Sequence, residues 1–412
     1  MSAVLRVAID GGTWTNQRGY GRFTRELVGA LASSGRHEYT LVLDAHAGRL
    51  GEAAVPSGVT LVSIPLTGSP SIDASANGWR SPLDLWRMSR ALSSARADLV
   101  FFPSVYTFVP LMRRVATVVT IHDVIAERFP SLIFSTARAR LFWQAKVWAA
   151  RAQAHRILTV SEHAARGLRD VFGVPSTRLR VTGEAPAAVF RRIDDRAAVA
   201  AAMQARGLGP DMEVVAYVGG LSPHKNLGAL IRTFTRLVAE LPERRLHLLL
   251  IGDYEHDVFL SDYPALRTLI DRDCQGRVTL TGRLEDAEIA LLLNGVRAFV
   301  LPSFDEGFGL PAVEAAACGA AVIATRASAM PEVLGDAALY IDPSLDDSVH
   351  EALHRVLTDD RLRQDLGPCR TVAGSPAPPS GRCRCESSPA CTCLGDDVLI
   401  ERDTASPIDR AR

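Results

Sequence analysis

The amino-acid sequence predicts an α/β protein with two doubly wound domains that face each other across a cleft. Three observations lead to this fold class. The chain has 412 residues, the length of about two or three domains, and 47% of them are hydrophobic, which is sufficient for buried cores. Short apolar runs alternate with helical patterns along most of the chain. This alternation is interrupted once, near the middle, and then begins again.

The first domain is predicted over residues 1–195. Its strand candidates are continuous apolar runs, which are typical of parallel strands that are covered on both faces. They are Leu5–Asp10, Tyr39–Asp44, Thr60–Pro65, Asp98–Pro103, Ala116–Asp123, Arg156–Ser161 and Arg178–Gly183. Helical patterns lie between several of them, at Tyr20–Ser34, Ser135–Ala154 and Glu162–Phe172.

The second domain is predicted over residues 210–366. A polar stretch rich in alanine and arginine, Arg191–Gly209, has no strand pattern and is predicted to link the domains. The strand candidates that follow are Val214–Gly219, Leu246–Gly252, Val278–Gly282, Ala298–Ser303, Ala321–Thr325 and Ala338–Asp342. The clearest helical patterns are Asn226–Leu241 and Glu285–Gly295. Because ligands of doubly wound sheets bind beyond the carboxyl ends of the strands, the two domains predict a ligand site in the cleft between them.

Residues 367–412 differ from the rest of the chain. Five of the seven cysteines lie there, among proline, serine and arginine and without apolar periodicity. Such a composition cannot form a packed core, so the segment is predicted to be disordered or to result from translation in a shifted reading frame. Cys383 and Cys385, like Cys391 and Cys393, are separated by one residue, whereas structural zinc sites usually separate paired cysteines by two to four residues. The spacing therefore does not favour zinc.

Charge and hydropathy limit the classes of function. The formal net charge is zero, which argues against nucleic-acid binding because such proteins carry a basic surface. The N-terminus has no long apolar segment of a secretory signal, and no run approaches the roughly 18 apolar residues of a membrane span. Cys274 and Cys318 are the only cysteines before residue 367, as expected in a reducing compartment. These observations predict a cytoplasmic protein.

The segment 303–314 is the most informative in the chain. It follows a predicted strand and begins a helix, whose free amide groups and dipole form an anion site that suits a diphosphate. Gly307 and Gly309 allow the main chain to approach a ligand closely. Glu306 precedes the helix and Glu314 lies about one turn inside it, so the two carboxylates can accept hydrogen bonds from hydroxyls on either side of the phosphates. Acids are also favoured at helix starts for electrostatic reasons alone.

Three further features lie near predicted strand ends. Lys225 places a positive charge near a helix start, where a phosphate can be held; a solvated surface lysine is the alternative. The turn Gly19-Tyr20-Gly21-Arg22 is a poor match to a dinucleotide fingerprint, which requires glycine or alanine where Thr24 stands, and suits flexible backbone facing the cleft. His122 can reach a sugar hydroxyl, although a lone histidine is more often structural.

Together these segments resemble the large family of retaining glycosyltransferases with the GT-B fold, which has two Rossmann-like domains and includes bacterial mannosyltransferases and glucosyltransferases. The similarity extends from about Leu5 to Leu366. Its markers are Ile121-His122-Asp123, Leu158-Thr159-Val160-Ser161-Glu162, Gly219-Gly220-Leu221-Ser222-Pro223-His224-Lys225-Asn226, and Glu306-Gly307-Phe308-Gly309-Leu310-Pro311 with Glu314.

The resemblance implies a role for each residue. Glu306 contacts the donor sugar, Glu314 contacts the nucleotide ribose, and Lys225 holds the diphosphate with the amides of Gly309 and Leu310. His122 faces the donor sugar, the loop at Gly19–Gly21 closes over the cleft, and Arg283 and Leu284 lie near the base. The implied catalytic residues are Glu306, His122 and Lys225, and the implied donor-binding residues are Gly19, Gly21, Gly219, Gly220, Lys225, Arg283, Leu284, Gly307, Phe308, Gly309, Leu310 and Glu314.

The implied reaction moves a hexose, with mannose favoured, from a nucleotide-diphosphate sugar to a saccharide or lipid-linked saccharide, as in polysaccharide biosynthesis. The leaving diphosphate helps to remove the acceptor proton on the same face of the sugar, which gives retention. No cofactor or metal is expected, because Lys225 and the helix start meet the phosphate charge and no Asp-x-Asp motif ends a strand. The acidic pairs Asp194-Asp195 and Asp346-Asp347 lie in linker-like contexts.

The chain departs from the family pattern in two places, and other functions therefore stay open. Many members carry an arginine where this chain has Gly220, and members usually end in a helix that crosses back onto the first domain, which residues 367–412 do not predict. Without that brace domain closure costs more, so activity is expected to be weak or absent. One alternative is a catalytically impaired sugar-nucleotide-binding protein. Another is a Rossmann oxidoreductase, for which Asp44 supplies the acid but the glycine fingerprint is incomplete.

Residues Arg138–Arg156 form a basic segment without acids in which Leu141, Phe142, Trp143, Val147 and Trp148 are interleaved. One interpretation is peripheral contact with an anionic membrane surface, at the inner face of the membrane, that carries a lipid-linked acceptor. The other is a domain helix with its apolar side packed on a core.

Overall fold

The computed structural model describes residues 4–16, 19–45, 55–68, 81–253 and 261–366. The prediction for residues 367–412 lies outside the described residues.

The N-terminal half contains a sheet of seven strands, all of which pair in parallel. The strands are β1 (Arg6–Asp10), β2 (Glu38–Asp44), β3 (Val59–Ile64), β4 (Leu99–Phe102), β5 (Ala116–Thr120), β6 (Arg156–Thr159) and β7 (Leu179–Val181). The helices are α1 (Gly19–Ser34), α2 (Pro82–Ser94), α3 (Ile125–Arg128), α4 (Pro130–Ile133), α5 (Ala137–Gln153) and α6 (Glu162–Phe172). The order across the sheet is β3-β2-β1-β4-β5-β6-β7.

The apolar strand runs are explained by burial on both faces of this sheet. Val7 and Ile9 of β1 pack into one hydrophobic layer, while Ala8 between them packs into the other. All four residues of β4 are buried. Because neither face of the central strands β1 and β4 meets solvent, these strands show no alternation of apolar and polar residues, whereas the edge strand β3 is partly exposed.

The C-terminal half contains a second parallel sheet, of six strands. The strands are β8 (Glu213–Val218), β9 (Leu246–Ile251), β10 (Val278–Leu280), β11 (Ala298–Leu301), β12 (Ala321–Thr325) and β13 (Ala338–Ile341). The helices are α7 (Arg196–Ala205), α8 (Leu227–Glu240), α9 (Tyr263–Asp273), α10 (Asp286–Gly295), α11 (Leu310–Ala317), α12 (Met330–Leu334), α13 (Asp346–Thr358) and α14 (Asp360–Asp365). The order is β10-β9-β8-β11-β12-β13.

The position of the candidate site follows from this strand order. In the second sheet the chain proceeds outward from β8 to β10 and then returns to the other side of β8 with β11, so the order reverses between these two strands. The segments that leave the carboxyl ends of β8 and β11 are residues 219–226 and 302–309. Such a switch point is where doubly wound sheets bind ligands.

The fold class and every predicted strand are confirmed. The stretch predicted to link the domains, Arg191–Gly209, contains helix α7, whose first turn is capped by the Asp195 carboxylate. Val199 and Met203 of this helix are buried against α10. An alanine-rich sequence favours a helix, which explains why the stretch is ordered. The residue at which one domain ends stays a prediction.

Candidate active site

The loop between β11 and α11 holds the first predicted glutamate in place. The Oε1 atom of Glu306 accepts a hydrogen bond from Ser303 Oγ at 2.6 Å and from Lys225 Nζ at 2.8 Å. Glu306 is 7% exposed, so its carboxylate is oriented by these two donors and not by water. Gly309 has φ 77°, in the left-handed region that favours glycine, and it directly precedes the helix.

Lys225 lies in the segment that follows β8, the strand next to β11 in the sheet. It ends a short 3₁₀ turn, Pro223–Lys225, and Asn226 follows with φ 56°. The Asn226 side chain donates hydrogen bonds to the main-chain oxygens of Pro302, at 3.2 Å, and Pro343, at 2.7 Å. These bonds tie the segment after β8 to the segment after β11. The structure therefore brings Lys225 and Glu306 together as an ion pair with side chains 19% and 10% exposed.

The same loop lies against the N-terminal half. A Cβ atom at Gly307 would lie 2.5 Å from the main-chain oxygen of His122, so only glycine fits. Gly307 O in turn accepts a hydrogen bond from Ser161 Oγ at 2.6 Å. His122 and Ser161 follow β5 and β6, so the carboxyl ends of these two strands face the loop after β11.

His122 is 7% exposed, and its ring nitrogens make no hydrogen bond within the described part of the chain. Tyr20 and Phe23 of α1 meet its ring edge-on, with centroids 5.0 and 4.8 Å away. Burial lowers the pKa of His122 to about 3, so the ring is neutral near pH 7. A buried polar atom without a partner is costly, and a hydroxyl of a bound sugar would satisfy it. This supports the predicted role of His122, which stays a prediction.

The Gly19–Gly21 segment was expected to be a loop over the cleft, but helix α1 begins at Gly19. Gly21 is buried, and a Cβ atom there would lie 1.6 Å from Asn16 O, so glycine permits the close packing of the helix start. A Cβ atom at Gly19 would meet nothing within 4 Å. Gly21 thus positions the next residue, Arg22, by allowing the helix start to pack closely.

Arg22 contacts the second predicted glutamate. Its guanidinium forms ion pairs with Glu314, which is 2% exposed, and with Asp286 at the start of α10. It also lies over the Phe190 ring, 5.4 Å from the centroid. Burial raises the pKa of Glu314 to about 8, and Arg22 opposes this shift. The Glu184 carboxyl also lies near Glu314, since burial and then the negative charge of Glu314 raise the pKa of Glu184 to about 8.

The remaining predicted donor residues lie around these pairs. Arg283 is exposed and Leu284 half-buried in the segment between β10 and α10. Gly219 and Gly220 follow β8, and the Tyr217 hydroxyl donates to Gly220 O at 2.7 Å. Phe308 is buried and belongs to the C-terminal core, whereas Leu310 is half-buried at the start of α11. Their predicted contacts with a donor stay predictions.

Sequence reasoning missed a cluster that joins the two halves. Asp305 is buried, and its carboxylate accepts from the Glu306 amide at 2.9 Å. Arg128 Nη1 donates to Asp305 Oδ2 at 2.9 Å, and His163 Nε2 lies 2.8 Å from Asp305 Oδ1. Glu332 of α12 accepts from the amides at the start of α6. The adjacency of Asp305 to Glu306 was the one available clue, because the partners lie far away in sequence.

Within the described ranges, no group of three or more histidine, cysteine, aspartate or glutamate side chains is arranged to hold a metal ion. Among the helices of these ranges, none is both long enough and apolar enough to cross a membrane.

Comparison with known families matches each half of the chain to a separate profile. The profile described as Glycosyltransferase Family 4 matches residues 18–183. The profile described as Glycosyl transferases group 1 matches residues 212–359. The first match contains six of the seven strands of the N-terminal sheet, and the second contains all six strands of the C-terminal sheet.

Two relatives from Escherichia coli are similar to parts of the chain. O-antigen chain mannosyltransferase B is 35% identical over 151 residues, which are 36% of this chain and 38% of the relative. Serotype-specific mannosyltransferase WbdA is 28% identical over 250 residues, which are 61% of this chain and 30% of the relative. The chain thus spans between 30% and 38% of the length of these relatives.

A solved structure has the same fold. Anabaena HepE in complex with UDP-glucose superposes with a TM-score of 0.67 at 17% identity, over 89% of this chain and 93% of that chain. At this identity the similarity concerns the fold, and it is the two-domain GT-B arrangement that the sequence predicts.

Proposed function

Because the chain belongs to the group 1 and family 4 glycosyltransferases, we propose that it moves a hexose from a nucleotide-diphosphate sugar to a saccharide or lipid-linked saccharide, with retention. One observation carries this proposal: a buried glutamate and a lysine meet beside a glycine-rich helix start at the switch point of the C-terminal sheet. These are the groups that a sugar diphosphate requires. Mannose is the proposed hexose, since the relatives above are mannosyltransferases, and polysaccharide biosynthesis is the proposed process.

In the proposed step, the acceptor oxygen forms a bond to the anomeric carbon as the bond from this carbon to the β-phosphate oxygen breaks. The electron pair of the breaking bond stays on the diphosphate, and the diphosphate accepts the acceptor proton on the same face of the sugar. Lys225 and the amides of Gly309 and Leu310 stabilise the charge that develops on the diphosphate. Glu306 and His122 bind sugar hydroxyls and fix the sugar in its reactive orientation.

The purified full chain tests this function directly. Thermal unfolding with GDP-mannose, UDP-glucose and ADP-glucose identifies the base, since a ligand at 100 times its Kd stabilises the folded state by about 2.7 kcal/mol. Stabilisation followed by sugar transfer to a saccharide acceptor supports the enzyme. Stabilisation without transfer or donor hydrolysis supports instead the alternative of an impaired sugar-nucleotide-binding protein, and no stabilisation by any donor contradicts both. The oxidoreductase alternative does not fit the family.

We expect transfer to proceed unchanged in EDTA. The diphosphate charge is met in this proposal by Lys225 and main-chain amides, so no cation has to be supplied from solution. The initial rate is measured with and without EDTA, and again after addition of Mg²⁺ or Mn²⁺. A rate that falls in EDTA and returns with either ion would show that the enzyme requires a metal.

We also propose that α5 contacts an anionic membrane surface that carries the acceptor, at the inner face of the membrane. One side of this helix packs on the core through Trp143 and Val147, as an ordinary domain helix would. The other side leaves Leu141, Phe142 and Trp148 64%, 44% and 68% exposed. Apolar side chains flanked by arginine on an outward helix face are typical of interfacial binding.

Trp148→Ala is expected to weaken binding to vesicles of anionic lipid about tenfold or more. Burial of a tryptophan side chain at an interface contributes more than about 1.4 kcal/mol to the free energy of binding. Trp86→Ala is the matched control, since Trp86 of α2 is 45% exposed and also lies beside an arginine. Co-sedimentation is measured for both variants. Equal loss in the two variants, or no binding by the wild type, would contradict a specific role of α5.

A further inference from the structure

Two cations approach the start of α11 from opposite sides. Lys225 belongs to the C-terminal half and pairs with Glu306, whereas Arg22 belongs to α1 of the N-terminal half and pairs with Glu314. Both cationic side chains are 19% exposed. The two carboxylates that the family resemblance assigns to donor hydroxyls, Glu306 and Glu314, are therefore each held by one cation.

Lys225 and the neutral amides of Gly309 and Leu310 together bring one full positive charge to the donor. A diphosphate ester carries two negative charges, and the departing nucleoside diphosphate gains another as the bond to the sugar breaks. On the β8 side of the site, Gly220 offers no side chain. Arg25, one turn beyond Arg22, is committed to main-chain oxygens of Trp14 and Asn16. Arg22 is the guanidinium that contacts a carboxylate of α11.

We propose that Arg22 binds the donor diphosphate from across the cleft and exchanges its ion pair with Glu314 for the phosphates when the donor arrives. The inference rests on the proposed function and adds a residue to it. A guanidinium presents five donors in a planar fork, which binds phosphate oxygens in pairs. Once Arg22 turns to the phosphates, the Glu314 carboxyl is free to accept from a ribose hydroxyl. The exchange thus links both halves of the molecule to one ligand.

The start of α1 is built to hold Arg22 in this position. Gly21 packs so closely on Asn16 O that the helix start cannot shift without losing that contact. The Phe190 ring supports the guanidinium from one face. A side chain held in place this way needs little reorganisation to meet an anion, so binding costs less ordering.

The test compares Arg22→Gln with wild type in the full chain by titration calorimetry. Wild type is first titrated with GDP, UDP and ADP, and the diphosphate that binds best is then compared with its monophosphate and its nucleoside. Arg22→Gln is expected to weaken the affinity for the diphosphate about tenfold or more. The affinity for the nucleoside should stay within about twofold of wild type. Arg232→Gln, which removes an exposed ion pair with Asp346 on α13, is the control and should leave all three affinities unchanged.

The outcomes separate this inference from the proposed function. Equal loss of nucleoside and diphosphate affinity would mean that Arg22 only positions Glu314, and unchanged diphosphate affinity would mean that it does not touch the phosphates; either result overturns the inference alone. Wild type that binds none of the three diphosphates overturns the proposed function as well. If Arg22→Gln does not fold, Arg22→Lys is used, because lysine keeps the positive charge without the planar guanidinium. A selective loss of affinity for the diphosphate is expected for this variant as well.

Discussion

Lys225→Ala is expected to lower the rate of sugar transfer about 10²–10³-fold, as removal of one preorganised charge-stabilising group does in other enzymes. The Lys225 ammonium lies 2.8 Å from the Glu306 carboxylate, so a cation is in place where the donor diphosphate is proposed to bind. The effect should appear in kcat at saturating donor, because the charge on the diphosphate grows as the bond to the sugar breaks. The folded state should also lose some stability, because the buried Glu306 carboxylate would keep the Ser303 hydroxyl as a donor but lose its cation.

Two further variants, a control lysine and a substitution of Glu306, test the same site. The chain contains only two lysines, Lys146 and Lys225. Lys146 of α5 donates to Tyr106 O at 3.1 Å and is not one of the predicted donor-binding residues, so Lys146→Ala should keep the transfer rate. Glu306→Gln preserves the size of the side chain and removes its charge, and is expected to lower kcat about 10²-fold. If either Lys225→Ala or Glu306→Gln turns over like wild type, the site is wrongly assigned.

Much of the fold could be predicted because both sheets are buried on both faces. Runs such as Leu99–Phe102 and Leu246–Ile251 are apolar throughout, so their periodicity identifies them as covered parallel strands. Helices α1, α5 and α6 were also predicted to within two residues. Helix α7 was not, since its alanines carry little amphipathic pattern and only two of its residues are buried.

The site could be predicted only where its residues share a segment. Glu306, Gly307 and Gly309 lie within four positions, and a local motif places them after a strand and before a helix. The partners of these residues come from the other half of the chain. Arg22 meets Glu314 across 292 positions, and such a contact depends on how the two sheets face each other, which no local pattern encodes.

Asp305 is the clearest example of a site residue whose partners come from the other half of the chain. Its side chain is 5% exposed, and the carboxylate joins Arg128 and His163 of the N-terminal half to the Glu306 amide. Removal of one partner from a buried ion pair leaves the other groups desolvated and unpaired. The loop that carries Glu306 would also lose the bond that fixes its main chain. Stability and catalysis should therefore depend on the same carboxylate.

Asp305→Ala is accordingly expected to lower the free energy of unfolding by about 2–3 kcal/mol, below the range for fully buried pairs because Arg128 is partly exposed. It should also lower the transfer rate about 10²-fold, as a displacement near 1 Å at a reacting centre does. Denaturant unfolding and kcat are measured together, with Asp346→Ala, which removes an exposed pair with Arg232, as the control. A double-mutant cycle with Arg128→Ala isolates the contact between the halves. Additive effects in that cycle, or a loss of stability without a loss of rate, would mean that Asp305 supports the loop without holding the two halves in register.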